Sequence, residues 1–407
     1  MMEIIEKKIS DLVEKRIETF NKNSVSQFRY VDISSIDNIK KEIVDSREIL
    51  SNAAPSRAKY ILKENDVIVS NVRPNLNAVA VVNQFHNSSI GSSGFTVLRP
   101  IEEVASEYLF LNLISPNFLN YVESLVQGAM YPAINDTDVK RFKIKLPKSK
   151  SDQQRIATEI KSKLEKVEQM RQAALKQKEA VEALQGALLR EVFPYKEGDE
   201  LPKGWKWEKL DDVAKINKLR KKKTAATPKE LTSFVPMECV DDITGKITKI
   251  FFRPNDELGQ SYTYFENGDI IFAKITPCMQ NGKCAIVSEM KDGFGYGSSE
   301  YIVFTPSKPI YTKWVHYFLR TIELRKNAED HFTGSAGQQR VPVDYLQSYK
   351  IPVPTDETVI KKLTDTLDKK HEEYFKLITQ TTTQLEAIEA LPAAILREVF
   401  DFNANRN

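Results

Sequence analysis

The phrase ALLREVF at residues 187–193 returns as AILREVF at residues 394–400, with six of seven letters shared and an offset of 207 in a chain of 407 residues. Three more blocks recur in the same order. NDVIVSNVRP (65–74) answers NGDIIFAKITP (267–277), GSSGFTVLRP (91–100) answers GSSEYIVFTP (297–306), and FKIKLP (142–147) answers YKIPVP (349–354). The offsets stay between 202 and 207. Blocks repeated in register are the mark of a tandem duplication. Whatever the first half of this chain builds, the second half is expected to build again.

Each half changes character once. Short runs rich in β-branched and aromatic residues come first: DVIVS, AVAVV and FTVLRP in one copy, DIIFAKI, KCAIVSE and EYIVFTP in the other. Bounded by turn residues, they read as strands. SEYLFLNLIS and TKWVHYFLRTIE follow as helices. This predicts a mixed α+β domain of about 150 residues in each half. The opening stretch, MMEIIEKKISDLVEKRIETF, carries acids and no continuous apolar core, so it is no secretion signal and reads as a short amphipathic helix.

After KLPKSKSDQQRI there is no Gly until Gly186 and no Pro until Pro194. Ser151 with Gln154 fits a capping box that satisfies free N–H groups at a helix start. Ile156, Ile160, Leu164, Val167, Met170, Ala174, Val181, Leu184 and Leu188 then recur at steps of three, four or seven, the stripe of one long helix ended by Pro194. The second copy repeats it with Leu363, Leu367, Tyr374, Leu377, Ile388 and Ile395. At 1.5 Å per residue each helix spans about 60 Å. Neither β-rich domain needs so long a helix for its own core, so the stripes predict an antiparallel coiled coil with one domain at each end. The alternative is that each helix folds back on its own domain. His371 and Thr381 are weak points in the stripe, and Pro392 is predicted to kink or break the second helix near Leu391. The expected layout is pseudo-two-fold: a domain at 1–149, a helix at 150–195, a second domain at 196–354, then a second helix and tail at 355–407.

Composition narrows the function classes by what is missing. No apolar run approaches the roughly 20 residues that cross a bilayer. Three cysteines, Cys239, Cys278 and Cys284, are too few for a disulfide framework and fit a reducing cytoplasm. The chain has no Gly-rich phosphate loop and no G-x-G-x-x-G after a strand. Cys278 and Cys284 lack zinc-ligand spacing, and His86, His316, His331 and His371 are scattered. An Asn/Asp-Pro-Pro-aromatic tetrapeptide is also absent, SPNF at 115–118 being a faint echo. The net charge is +3, with the positive excess in residues 1–150 (20 basic, 18 acidic) and 200–354 (23 basic, 19 acidic). That is a weak polyanion signature, and random drift of a few charges would give the same.

The layout resembles the specificity (S) subunit of type I restriction–modification systems, over essentially the whole chain. The marks are the junction KIKLPKSKSDQQRIATEI, the strand entry NGDIIFAK, the helix end LLREVF, and LPKGWKWEKLDDVAKI at the start of the second half. Three features depart from it. The second junction, IPVPTDETVIKKL, lacks the Gln153–Gln154 pair, the first half shows no clear counterpart of LPKGWKW, and Pro392 sits inside a helix. The resemblance implies two target recognition domains, each reading one half of a bipartite asymmetric sequence in double-stranded DNA. It implies helices that set the spacer and dock two methyltransferase (M) subunits, with restriction (R) subunits joining the complete enzyme. The chain itself would be non-catalytic and cofactor-free, with S-adenosylmethionine in the M subunit and ATP and Mg in the R subunit. A two-headed protein-binding scaffold without DNA affinity is the alternative.

Candidate DNA-binding residues follow from position and chemistry. Arg220, Lys221, Lys222 and Lys223, after Lys218, suit phosphate neutralisation, or form a solvated loop. Arg73 and Lys274 follow equivalent strands. Asn71, Asn75 and Asn77 lie near the first, and Gln280, Asn281 and Lys283 near the second. Arg, Asn and Gln pair two-pronged with purine edges, although Asn also favours turns for local reasons. A second loop pair, QGAMYPAINDTD (127–138) and TGSAGQQRVPVD (333–344), offers Tyr131 and Asn135 in one copy and Gln338, Gln339 and Arg340 in the other. Asp138 and Asp344 read as caps. Ser92, Ser93, Ser298 and Ser299, repeated almost verbatim, read as turn framework rather than readout.

Overall fold

The computed structural model describes residues 2–128, 130–219, 227, 229–258, 261–335 and 338–400. The chain divides into two compact units, Met1–Leu175 with Gln384–Asn407, and Lys176–Thr383. Both boundaries fall inside long helices, so each unit contains one domain, a stretch of the first helix and a stretch of the second.

The first unit holds a sheet in the order Arg47–Leu50, Gln27–Val31, Ile90–Ser92, Ala58–Ile61, and a second in the order Phe95–Leu98, Val67–Ser70, Val79–Val81. Gln27–Val31 runs parallel to Ile90–Ser92, and the other pairings are antiparallel. The second unit repeats both. One sheet runs Phe251–Pro254, Leu231–Val235, Phe294–Gly297, Thr263–Glu266, again with one parallel pair, between Leu231–Val235 and Phe294–Gly297. The other runs Ala214–Ile216, Tyr301–Pro306, Ile270–Ala273, Cys284–Ile286. Val67, Ile68, Ile270 and Ile271 are fully buried, as strands covered on both faces must be.

The N-terminal helix expected from the sequence is absent. Ile4–Lys8 is a strand, antiparallel to Lys143–Pro147, with Ile4 opposite Pro147. Its counterpart is Trp205–Lys209, antiparallel to Lys350–Pro354 with Trp205 opposite Pro354. IIEKK is therefore the structural equivalent of WKWEK, which the letters do not reveal. Edge pairing to a segment far along the chain overrode a local helical pattern.

The first long helix is Lys150–Val192 and the second Glu357–Phe400. Within the first unit the early part of one lies against the late part of the other, through a cluster of Val167, Ala174, Leu385 and Ile388. Within the second unit Val181 and Leu188 meet Tyr374 and Ile378. Start packs on end in both, the antiparallel arrangement the stripes implied. The seam differs from the predicted one in detail. Buried and half-buried positions alternate by four and three from Gln153 to Val192 and from Ile360 to Ile395, a heptad pattern. Met170, Leu184 and Leu377 flank that seam and are 49%, 41% and 42% exposed. Arg171 and Lys178 stand in the seam instead, half-buried, with aliphatic stems that cover apolar surface.

The helix start also differs from the expected capping box. The helix begins at Lys150, and Gln153 rather than Gln154 does the bonding. Gln153 is 1% exposed, accepts from the Ala105 N–H at 2.9 Å, and donates to the Pro147 carbonyl at 2.8 Å and the Glu103 carbonyl at 3.3 Å. In the second copy fully buried Ile360 takes that place by packing alone. Pro392 does not break its helix, which continues to Phe400, with Leu396 and Phe400 buried in the core of the first unit. Among the described residues no helix is long and apolar enough to cross a membrane, and no group of ligating side chains is placed to hold a metal.

Candidate nucleic-acid interface

Three loops converge at the ends of the central strands in each unit, through the same four backbone contacts. In the first unit the Asn71 N–H donates to the Gly94 carbonyl (2.8 Å), Arg73 N–H to Pro132 (2.9 Å) and Ile134 N–H to Asn71 (2.9 Å), and Val72 bridges Ala133. In the second unit the Lys274 N–H donates to the Glu300 carbonyl (2.9 Å), Thr276 N–H to Gln339 (2.9 Å) and Val341 N–H to Lys274 (3.0 Å), and Ile275 bridges Arg340. The two loop pairs singled out by the sequence thus meet in space, together with the GSS turn. The register makes Asn71 the counterpart of Lys274 and sets Arg73 opposite Thr276. Tyr131 and Gln338 hold equivalent places. The serines act in the turns: Ser92 Oγ accepts from the Gly94 N–H and Ser298 Oγ from the Glu300 N–H, both at 3.2 Å.

On this shared frame the side chains differ. The first unit carries an open groove of about 680 Å³, lined by Arg57, Lys59, Asn71, Gly94, Ala133 and Asp136 among others. Arg73 adopts a left-handed backbone (φ 50°) before the short turn Pro74–Leu76, and its side chain and that of Asn75 are exposed. Met130 and Tyr131 stand almost fully in solvent, 89% and 85% exposed. Lys59 lies over the Tyr60 ring at 4.7 Å, and its hydrogen bond with Tyr60 raises its pKa above the ordinary lysine value.

Two first-unit candidates also serve the frame. Asn135 caps the helix Asp136–Arg141, accepting from the Thr137 and Asp138 N–H groups, while Asp138 returns a bond to the Asn135 N–H. Asn77 is buried. Its carbonyl accepts from Lys41 Nζ at 2.5 Å, and its Oδ1 has no hydrogen-bond partner. Burial pushes the Lys41 ammonium down to about 8.

In the second unit a charged pair occupies the corresponding place. Arg340 grips Glu300 with two parallel bonds, Nε to Oε2 at 2.9 Å and Nη2 to Oε1 at 2.7 Å, and its Nη1 donates to the Gln338 carbonyl at 3.0 Å. The Arg340 hydrogen bond holds the Glu300 carboxyl below its usual range. Gln280, Asn281 and Gln338 are exposed, and Lys274 and Gln339 half-buried. Lys283 is committed elsewhere, donating to the Val240 and Met237 carbonyls at 2.7 and 3.2 Å. Arg220, Lys221, Lys222 and Lys223 lie outside the described residues, and Lys218 beside them is exposed.

Sequence reasoning passed over Glu300, Thr96 and Asp136. For Glu300 a signal was present: it is the one letter by which GSSE departs from GSSG. For Thr96 and Asp136 there was none, because their roles depend on a contact across 40 residues. Each site thus presents fixed hydrogen-bond donors and acceptors beside exposed cationic and amide side chains. That is the equipment for docking on a phosphate backbone and touching base edges.

Comparison with known proteins agrees in kind. The family described as "Type I restriction modification DNA specificity domain" matches residues 2–177 and again 202–392. The specificity subunit of the type I restriction enzyme EcoEI of Escherichia coli is 32% identical over 203 residues, covering 50% of this chain and 34% of that protein. That of EcoAI, also of Escherichia coli, is 32% identical over 217 residues, covering 52% of this chain and 36% of that protein. The chain thus spans about a third of the length of these relatives in the matched regions. Among solved structures, one from work on complex assembly and conformational transition of a type I R-M system superposes with a TM-score of 0.83 at 24% identity, covering 98% of this chain and 97% of the other. The HsdS subunit from Thermoanaerobacter tengcongensis gives 0.64 at 24% identity, over 98% and 97% of the two chains. These two establish likeness of fold.

Proposed function

The chain belongs to the type I restriction–modification DNA specificity family, and from that premise we propose that it is the DNA-reading subunit of a type I restriction–modification enzyme. Each unit contacts one half of a bipartite target. The two long helices fix the spacer and dock methyltransferase subunits, and restriction subunits join where the complete enzyme is formed. The chain performs no chemistry of its own. S-adenosylmethionine belongs to the methyltransferase partner, and ATP with Mg to the restriction partner.

One observation carries this reading. The same three-loop frame, with the same four backbone contacts, is built twice and furnished with different side chains. A duplicated frame with divergent contents suits a target of two unlike halves. We assign Arg73, Asn75 and Tyr131 to DNA contact in the first half, and Lys274, Gln280, Asn281, Gln338, Gln339 and Arg340 in the second. The Arg220–Lys223 run neutralises phosphates and contributes affinity without sequence information. Nothing among the described residues favours a protein-binding scaffold.

The test is a gel-shift series on the complex with methyltransferase subunits, using duplexes randomised at two half-sites separated by variable spacers. One bipartite sequence with one spacer length is expected to be retained, with affinity falling steeply as salt rises. Indifference to spacer length, or binding without salt dependence, would refute the proposal.

A further inference from the structure

Behind Asn71 and Asp136, which line the first unit's groove, Thr96 Oγ1 lies 2.7 Å from the terminal amide of Asn71 and 2.8 Å from Asp136 Oδ1. Thr96 is fully buried, so no water competes for its hydroxyl. A threonine hydroxyl carries one proton and cannot donate to two oxygens, and a carboxylate can only accept. Asp136 therefore takes the threonine proton. Asn71 must then turn its NH2 toward the threonine oxygen, because amide O and N are told apart by their partners. This chain of bonds leaves the Asn71 Oδ1 and one remaining N–H to face the groove that Asn71 lines.

An acceptor beside a donor on one amide edge is the pattern that pairs with adenine, accepting from N6–H and donating to N7. We propose that Asn71 reads an adenine in the half-site bound by the first unit, with Thr96 and Asp136 as positioning residues. This rests on the specificity-subunit reading and names a base for it. The second unit lacks the device. Pairing with the neighbouring strand places Ile302 where Thr96 stands, and the loop contacts place Lys274 where Asn71 stands. This positioned adenine contact belongs to the first half-site.

The experiment uses the complex with methyltransferase subunits and a duplex library randomised over both half-sites, with retained sequences counted. The wild-type complex is expected to demand an A·T pair at one position of one half-site. Asn71→Ala should lose about tenfold to a hundredfold of discrimination at that position, the span of a good bidentate contact. Thr96→Val, equal in shape but unable to donate to Asp136 or accept from Asn71, should relax the same position, and Thr96→Ser should restore it. The other half-site and the salt dependence should not move, which a merely unfolded domain would not allow. If the wild type selects a bipartite site and both Asn71→Ala and Thr96→Val keep every preference, or if the relaxed position is not A·T, the inference is overturned. A wild-type complex that selects no sequence would overturn the functional reading itself, and this inference with it.

Discussion

The first unit leaves its three-loop site open, and the second fills it. Where the first has Gly94 and Ala133, the second has Glu300 and Arg340, joined by two bonds. The four backbone contacts around them are the same. Side chains at these points are nonetheless not interchangeable. A Cβ on Gly94 would meet Ile33 Cδ1 at 2.7 Å, so the first unit excludes a side chain there unless Ile33 gives way. Backbone bonds are kept between the copies because they hold the loops in place, and side chains diverge because they face what the loops touch. The largest effect able to break this comparison comes from exchanging residues 200–350 for the matching segment of another specificity subunit. One half-site should be replaced outright and the other kept, as read by sequencing of retained duplexes. Change in both would show that the units do not read independently.

The framework is held through different side-chain partners in the two units. Asp66 and Asp269 close equivalent turns, accepting from the Lys63 N–H at 2.8 Å and the Glu266 N–H at 2.7 Å. Fully buried Asp66 also binds the Arg99 Nε and Nη2, both at 2.8 Å, while Asp269 accepts from the Thr305 hydroxyl at 2.8 Å. Arg99→Met strands a buried carboxylate and should destabilise the first unit by about 3–5 kcal/mol, the usual result of removing one member of a buried ion pair. Thr305→Val should cost the second unit about 1 kcal/mol. Hydrogen exchange resolved by unit separates the two, and equal losses would mean that the turns do not depend on these partners.

Duplication, strand-rich domains and paired long helices were legible in the sequence because each rests on local periodicity or on comparing one half with the other. The parts that were not legible depend on distant partners. Ile4–Lys8 is a strand only because Lys143–Pro147 lies beside it. Arg171 and Lys178 enter the seam, against their polarity, because the heptad register of the whole helix puts them there. Pro392 stays helical among half-buried and buried neighbours, Ile395 and Leu396, that hold it in the seam. At the site, Asn135 lines the groove and also caps a helix, a second role set by the residues that follow it. Glu300 was visible only as a single differing letter.

The helix seam offers a smaller contrast. Leu164 in the first helix corresponds to His371 in the second, which is 3% exposed. The His371 Nδ1–H donates to the Leu367 carbonyl at 2.9 Å, and its Nε2 has no partner. Burial lowers its pKa, and burial pushes neighbouring His316 down to about 3. Burial thus disfavours the charged form of both imidazoles in the folded unit. The unfolded chain takes up protons below its ordinary histidine pKa of about 6.5, and the folded unit takes them up less readily, so stability is complete above that pH and falls as pH drops through it. His371→Leu removes a stranded acceptor and should stabilise the second unit by about 1–3 kcal/mol while flattening the acid slope. Urea unfolding at pH 7.5 and 5.5 checks both, and an unchanged slope would move the acid sensitivity to His316.

The smallest effect on stability, and the sharpest on reading, is expected at Glu300. Its side chain is 23% exposed and that of Arg340 39%, so solvent screens the pair and it contributes little to folding. Glu300 is held ionised below the normal glutamate range, and its contribution is present above the unfolded glutamate pKa of about 4.3 and lost as pH falls below it. Across pH 6 to 8 the pair is constant, so a change in binding there has another source. Glu300→Gln keeps the shape and removes the charge that orients the arginine fork. Melting should be almost unmoved, while base preference in the half-site of the second unit broadens and the half-site of the first stays fixed. A large stability loss with preference intact would make the pair a brace for the loop, and the two sites would then differ in packing rather than in what they read.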